Sequence, residues 1–381
     1  MSPQHTSGGL YGYADRFEEP EGYLDFARYG PPSRDVLTAT GDALARSARA
    51  DQDTVNELMG ADTRARAAAA RLAGTDPAHT VLLPNASTGL FHAAFGLAEG
   101  TVLVPAADFP ANHYPWRRSA ALGRAVPRWL GAEGAGPAGA WVTADAVRGA
   151  LTDDVVALSV SAVDFRTGHR ADLAGLREVI GPDRLLIVDA IQGFGVADLP
   201  WQAADVVVTG GQKWLRAGWS TGFATLSDRA LERLEPVLSG WTGVEDVALF
   251  DDHEHPVAPG AARWSLTNLS PVAAAGLEAA LALVERVTVR AIEAHVSTRV
   301  DQLIDTVRSC GGEVLSPADP GRRAGIVSFR VPGTDPATVA KALHAHGVTP
   351  SVRATSVRLA AHASTRLAAV DRVQAALTSL R

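Results

Sequence analysis

Between residues 80 and 227 the chain repeats one arrangement: a short, continuous apolar run, a Gly, Pro or Asp stop, and a helical stretch. The runs are "TVLLP", "TVLVPA", "VVALSVSAV", "RLLIVDAI", "DVVVTGG" and "GFATLS", with stretches such as "GLFHAAFGLA" and "ADLAGLREVIG" between them. Continuous β-branched runs lack the in–out alternation of a half-exposed strand, so they predict strands buried on both faces. Alternation with helices makes the sheet mainly parallel, an α/β layer structure. Ligands of such sheets bind beyond the carboxyl ends of the strands. After Pro271 the pattern changes to one long helical tract running to Gly311 and Gly312, a paired-glycine stop. The smaller runs "GIVSFRV", "PATVAKALHAHG", "SVRLAAH" and "LAAVDRVQAALTSL" follow. The expected organisation is therefore an amino-terminal segment (1–22), a large α/β domain (23–270), and connecting helices with a small α+β domain (271–381).

At 381 residues, 46% of them hydrophobic, the chain can bury a large core. Its net charge of −7 offers no basic stripe for a phosphate backbone, which argues against nucleic acid as a partner. Cys310 is the only cysteine, so no internal disulfide is possible and a reducing compartment fits. The amino terminus carries neither a basic nor an apolar signal region. The most apolar helical tract, "SPVAAAGLEAALALVERV", is interrupted by Glu278 and Glu285, so no membrane span is expected. The sequence thus predicts a soluble, cytoplasmic protein.

Of 35 basic residues, all but Lys213 and Lys341 are arginine. Arginine stays protonated, whereas a lysine in an apolar pocket can lose its proton and attack a carbonyl. Lys213 follows the apolar run "DVVVTGG", at the end of a predicted strand. Lys341 falls mid-helix in "PATVAKALHAHG", an ordinary solvated position. Three other features read as bland. "GAGPAG" at Gly134–Gly139 opens no helix and contains a proline, so it is a loop and not a dinucleotide fingerprint. "DDHEHP" at Asp251–Pro256 has ligand composition without ligand spacing, and no metal is expected. Cys310 precedes two glycines at a helix end and reads as packing.

Asp189 closes the strand "LLIVD" 24 residues before Lys213, with Gln192 just beyond it. A carboxylate at one strand end and an amine after the next face a common cleft. A carboxylate to pair with a protonated pyridine and an amine to form a Schiff base are the two groups that pyridoxal phosphate chemistry most needs. A phosphate needs a helix start with hydroxyls nearby. "LLPNASTGLFHAAFG" supplies Asn85, Ser87 and Thr88, with Gly89 opening the helix.

These motifs, in this order, resemble the class V branch of the fold-type I pyridoxal phosphate enzymes, from "YLDFARYGPP" to "SVRLAAHAST". That group includes cysteine desulfurases, isopenicillin N epimerase, kynureninase and ergothioneine-pathway lyases. The resemblance implies pyridoxal 5'-phosphate as cofactor, Lys213 as Schiff-base lysine, Asp189 as partner of the pyridine nitrogen, and Gln192 as partner of the phenol oxygen. It implies phosphate contacts from Ser87 and Thr88, with Thr209 beside them. Phe109 falls where many relatives stack a histidine and kynureninase-like members have Phe. "RWSLTN" implies that Thr267 reaches the phosphate of a neighbouring subunit, hence a homodimer with shared sites. Arg358 matches the arginine that grips the substrate carboxylate. Tyr29 and Asp164, in "YLDFARYGPP" and "SAVDFRTG", are the accompanying substrate-side candidates.

Two departures stand out. Gln212 replaces a common histidine, and Gly210 a common phosphate-binding serine, so phosphate anchoring is redistributed. No cysteine precedes "SVRLAAH", where a desulfurase carries its nucleophile. The expected reaction is therefore carbon–sulfur β-elimination from an S-substituted cysteine, in actinobacterial sulfur metabolism or antibiotic biosynthesis, lincosamide assembly being one example. Decarboxylating oxidative deamination is the runner-up, followed by transamination or epimerisation. A silent binding protein on this fold is disfavoured because Lys213 and Asp189 are both kept.

Overall fold

The computed structural model describes residues 10, 12–49, 51–131 and 141–381. The "GAGPAG" tract and the first nine residues therefore lie outside the described residues. Two helices come first, α1 (Arg34–Ser47) and α2 (Gln52–Ala73). Ser33 and Asp51 cap them, each side chain accepting a backbone N–H three residues on, the arrangement that satisfies a helix's first free donors. Next come β1 (Thr80–Leu82), α3 (Ala86–Gly96), β2 (Thr101–Pro105), α4 (Tyr114–Ala121), β3 (Val126–Leu130), α5 (Ala144–Ala150) and β4 (Val155–Ser161). They continue with α6 (Leu173–Ile180), β5 (Leu185–Asp189), β6 (Val206–Gly210), β7 (Gly222–Leu226) and α7 (Asp228–Arg233).

The seven strands form one sheet in the order β1-β7-β6-β5-β4-β2-β3. Five of them, β2 to β6, are joined by parallel pairings, as the continuous apolar runs predict, and β1 points the same way. Alternate residues feed two apolar clusters: Leu158, Leu186, Val188 and Val207 on one face, Ala157, Leu185, Ile187 and Val208 on the other. Strand β7 is the exception, antiparallel to both β6 and β1. Only residues 211–221 join β6 to β7, too few for a helical crossover. Strand β3, absent from the sequence-based expectation, is short and at the sheet edge, where Pro127 is tolerated.

Beyond Pro271 the expected single tract is two helices, α8 (Pro271–Val287) and α9 (Val289–Ser309). Thr288 separates them with φ +73°, and its hydroxyl caps α9 at Ala291 N. Helix α8 packs on α1 and α2, an interface of small residues from both sides such as Ala65, Ala69 and Ala274. Helix α9 packs on the carboxyl-terminal layer. That layer holds β8 (Glu313–Val314), β9 (Ile326–Arg330), α10 (Pro336–Ala345), β10 (Ser351–Val352), β11 (Val357–Ala360) and α11 (Leu367–Thr378). Its four-stranded sheet is antiparallel, ordered β10-β11-β9-β8. Among the described residues no helix is long and apolar enough to cross a membrane.

Helix α3 lies close on the sheet because Gly89 has no side chain: a Cβ there would meet Val208 Cγ1 at 2.6 Å. Gly89→Ala is therefore expected to destabilise the protein by about 1–3 kcal/mol through overpacking. Val208→Ala in the same chain should recover part of that loss, because it removes the opposing methyl. Denaturant unfolding of the two single variants and the double variant reads the coupling; strictly additive losses would reject this account.

Candidate active site

The sheet's carboxyl edge gathers the chemistry. Asp189 ends β5 and pairs in register with Ser161, the last residue of β4. Asp189 is 1% exposed, and its Oδ1 accepts the N–H of Ile191 at 3.0 Å. Burial raises this carboxyl to about 6, and the neighbouring Asp108 adds to the shift. Lys213 sits in the turn after β6. Burial lowers its amine to about 8, against the opposing pull of Asp189, while the Arg358 and Arg353 charges lower it further. Acid and amine thus lie in each other's field, each shifted toward its neutral form by loss of water. The Lys213 Nζ stands 5.5 Å from the centroid of the Phe109 ring.

Phe109 is placed by Asp108, which the sequence reading overlooked. One Asp108 carboxylate oxygen accepts the Phe109 N–H at 2.7 Å and the Ser161 hydroxyl at 2.6 Å. The other accepts Ser161 N at 3.0 Å and Asn112 Nδ2 at 2.9 Å. Four donors lock the β2–α4 turn to the end of β4. A second aromatic, Phe165, meets Phe109 edge to face at 5.1 Å. Asp164 shapes the turn that presents it: Oδ1 accepts Arg166 N, Thr167 N and the Thr167 hydroxyl, and Oδ2 the Arg166 guanidinium. Asp164 therefore offers the site a fixed turn, its carboxylate already engaged.

The lysine turn is braced by the amino-terminal arm. Gly30 N–H donates to Gln212 O at 2.9 Å, and a Cβ on Gly30 would stand 1.9 Å from Lys213 O. Gln192 is buried between this arm and the turn, donating Nε2 to Ala27 O at 3.0 Å and accepting Trp214 Nε1 at 2.7 Å. Tyr29 stacks on Trp219 with centroids 5.4 Å apart. Arg216, in left-handed conformation at φ 59°, is buried against Phe17, donates to Pro31 O and Ser364 Oγ, and pairs with Glu19.

At the phosphate end, helix α3 begins at Ala86, three residues earlier than expected. Asn85 is its cap, accepting Thr88 N at 2.9 Å and the Thr88 hydroxyl at 3.2 Å. Ser87 shares that first turn and its hydroxyl bonds to nothing among the described residues. Thr209 is buried in β6. The two departures from the common pattern are physically linked: a Cβ on Gly210 would lie 2.5 Å from Gln212 Oε1. The glutamine amide occupies the space a serine would need, and its buried oxygen has no protein partner.

Arg358 lies in β11, 1% exposed. It donates to Phe165 O at 2.7 Å, Ser351 Oγ at 2.9 Å and Asp25 at 3.4 Å, while its buried Nε is unpartnered. Burial and Arg353 lower it to about 10, so it remains charged at neutral pH. Thr267 stands apart. It accepts Trp241 Nε1 at 3.2 Å and lines a cavity of about 240 Å³ with Arg66, Asp62 and Met59, in which Lys213, Asp189, Ser87 and Thr88 take no part. Its segment is anchored to α3 by Trp264 stacked on His92 at 5.0 Å. Among the described residues no His, Cys, Asp and Glu group could hold a metal, and His255 of "DDHEHP" merely bonds Asp251.

Several solved structures share this architecture. The apo cysteine desulfurase of Thermococcus onnurineus superposes with TM-score 0.84 at 17% identity, covering 100% of this chain and 99% of that one. A cystine C–S lyase in complex with cysteine persulfide gives TM-score 0.85 at 19% identity over 94% and 97%. In sequence, kynureninase of Deinococcus radiodurans is 27% identical over 79% of this chain and 74% of its own. A probable cysteine desulfurase of Methanothermobacter thermautotrophicus is 25% identical over 84% and 80%. The fold is that of the fold-type I pyridoxal phosphate-dependent enzymes. The aminotransferase class-V profile matches residues 24–375, and the chain belongs to that family.

The residues present fit the family's cofactor. A partly neutral amine, a buried carboxylate with one unbonded oxygen, a helix start with a free hydroxyl and an orphaned amide oxygen converge on one edge. Only the neutral amine attacks an aldehyde. Covalent loading of the apo protein with pyridoxal phosphate should therefore accelerate as pH rises through about 8. Borohydride reduction and peptide mapping should then mark the Lys213 peptide; a pH-independent rate, or a mark on Lys341, would contradict this site.

Asp189 supplies a second test. Its folded-state value is raised, so ionising it costs stability that accumulates from the ordinary carboxylate value near 3.8 up to about 6. Asp189→Asn should raise the thermal midpoint of the apo protein above pH 6, with the gain fading as pH falls from 6 toward 3.8. A gain that persists unchanged at pH 4 would point to another cause.

Proposed function

We propose that the protein is a carbon–sulfur β-lyase that converts an S-substituted cysteine and water into a thiol, pyruvate and ammonia. The observation that carries this reading is where sulfur chemistry is absent. Cys310, the only cysteine of the chain, ends α9 with its Sγ against Gln374 O and the Thr378 hydroxyl, remote in the fold from the lysine edge. No protein thiol is available there to take up substrate sulfur, so the sulfur leaves as a released thiol.

Pyridoxal phosphate supplies the electron sink that makes bonds to Cα of an amino acid labile. The protein's own residues select among those bonds. Arg358 is charged and has a buried, unpartnered Nε; it would take the substrate carboxylate in a charge-assisted contact that fixes how the substrate lies. Lys213, with its amine near 8, serves as the base that takes the Cα proton and returns one after the leaving group departs. With the cofactor bound, Asp189 would stabilise a protonated ring nitrogen, Phe109 would offer the ring an aromatic face, and Ser87 with the α3 amino terminus would receive the phosphate. Gln192 has a second Nε2–H beyond its bond to Ala27 and would be the donor for the phenol oxygen. Thr267, set in its own cavity, serves the phosphate of a second subunit, so the working form is a homodimer. A pathway of sulfur or secondary metabolism suits such a substrate.

The kynureninase relatives together with Phe109, which takes the place of the usual histidine, favour a second reading in which an aryl-ketone amino acid is cleaved at the β-carbon. Incubating the purified holoenzyme with carboxyl-labelled S-substituted cysteines and, separately, with kynurenine decides between them. The β-lyase reading expects equimolar thiol, labelled pyruvate and ammonia, with label retained in the keto acid. Label lost as carbon dioxide in step with substrate, or turnover of kynurenine alone, would reject it.

A further inference from the structure

Arg353 is exposed, follows directly on β10, and was singled out by no motif. An exposed arginine is ordinarily a solvated charge; three observations set this one apart. First, its guanidinium lies 5.6 Å from the centroid of Phe165, which packs edge to face on Phe109, which in turn carries the Lys213 amine over its ring. An aromatic path thus runs from the reactive amine to Arg353. Second, its charge reaches the site, lowering both Lys213 and Arg358. Third, the neighbouring arginines of the cleft have carboxylate partners: Arg166 with Asp164, Arg358 with Asp25, Arg216 with Glu19. The Arg353 side chain makes no hydrogen bond or ion pair among the described residues, while its backbone N–H donates to Ser356 O at 2.9 Å and fixes the turn.

A guanidinium lying on an aromatic face keeps its N–H edges free, a shape suited to a planar anion. Two like charges held in each other's field also carry a repulsion that an anionic ligand relieves. We infer that Arg353 is a specificity-determining residue that receives a second anionic group, at the far end of the substrate's side chain, so that the preferred substrates are amino acids with a distal carboxylate or similar anion. This rests on the site binding an α-amino acid, and not on which bond is broken.

The experiment uses the cofactor-loaded protein and two uncleavable amino acids of equal length, 2-aminopimelate and its ω-amide, in which a methylene replaces sulfur. Calorimetric dissociation constants should favour the distal carboxylate by about tenfold. In Arg353→Ala the ratio should fall close to one, in Arg353→Lys part of it should return, and in Arg353→Glu it should invert. Equal affinities in the parent protein, a ratio that survives Arg353→Ala, or binding of neither compound overturns the inference. If the ratios behave as stated while no S-substituted cysteine releases thiol, the inference stands and only the β-lyase reading falls.

Discussion

The site depends on withholding water from two groups of opposite charge. An ammonium exposed to solvent would stay protonated and unreactive at neutral pH, whereas the carboxylate, raised only to about 6, keeps the charge that a protonated ring nitrogen needs. At the edge of a sheet covered on both faces, each loses hydration and drifts toward neutrality, and neither drift runs to completion because the partner's charge opposes it. The continuous apolar strands exist in part for this purpose. An alternating pattern would set polar side chains against one of the two apolar clusters that cover the sheet and cost the layer its stability.

The surrounding architecture then fixes orientation. Asp108 fastens the turn carrying Phe109 to the end of β4, Asp164 fastens the turn carrying Phe165, and Asp25 with Ser351 fastens Arg358. Of these three acidic residues only Asp164 stood among the sequence candidates, and all three act as acceptors for backbone, hydroxyl or guanidinium donors. The amino-terminal arm closes the arrangement from below, where Gly30 allows backbone to lie against backbone.

The parallel strands, the placement of Lys213 beside Asp189 and the helix start after β1 were legible because each rests on local chemistry: apolar continuity, a rare lysine, a capped helix start. The antiparallel β7 was not, since its direction follows from loop length between strands and not from its own residues. The break at Thr288 was hidden inside a helical pattern that continues on both sides of it. Asp108, Phe165 and Arg353 were missed because their roles come from neighbours distant in sequence: Ser161 beside Asp108, Phe109 beside Phe165, and Phe165 beside Arg353. A single chain read alone gives no signal for such pairings.

The crowding between Gly210 and Gln212 has a consequence for substitution. A Cβ at 210 meets the amide tip of Gln212 at 2.5 Å, the far end of a flexible side chain, so a serine there would turn the amide aside instead of being barred. The amide oxygen, buried and without a protein partner, has no hydrogen bond to lose by moving. Which side chain position 210 accepts therefore depends on where the Gln212 amide can go, and the two positions are best altered and read together.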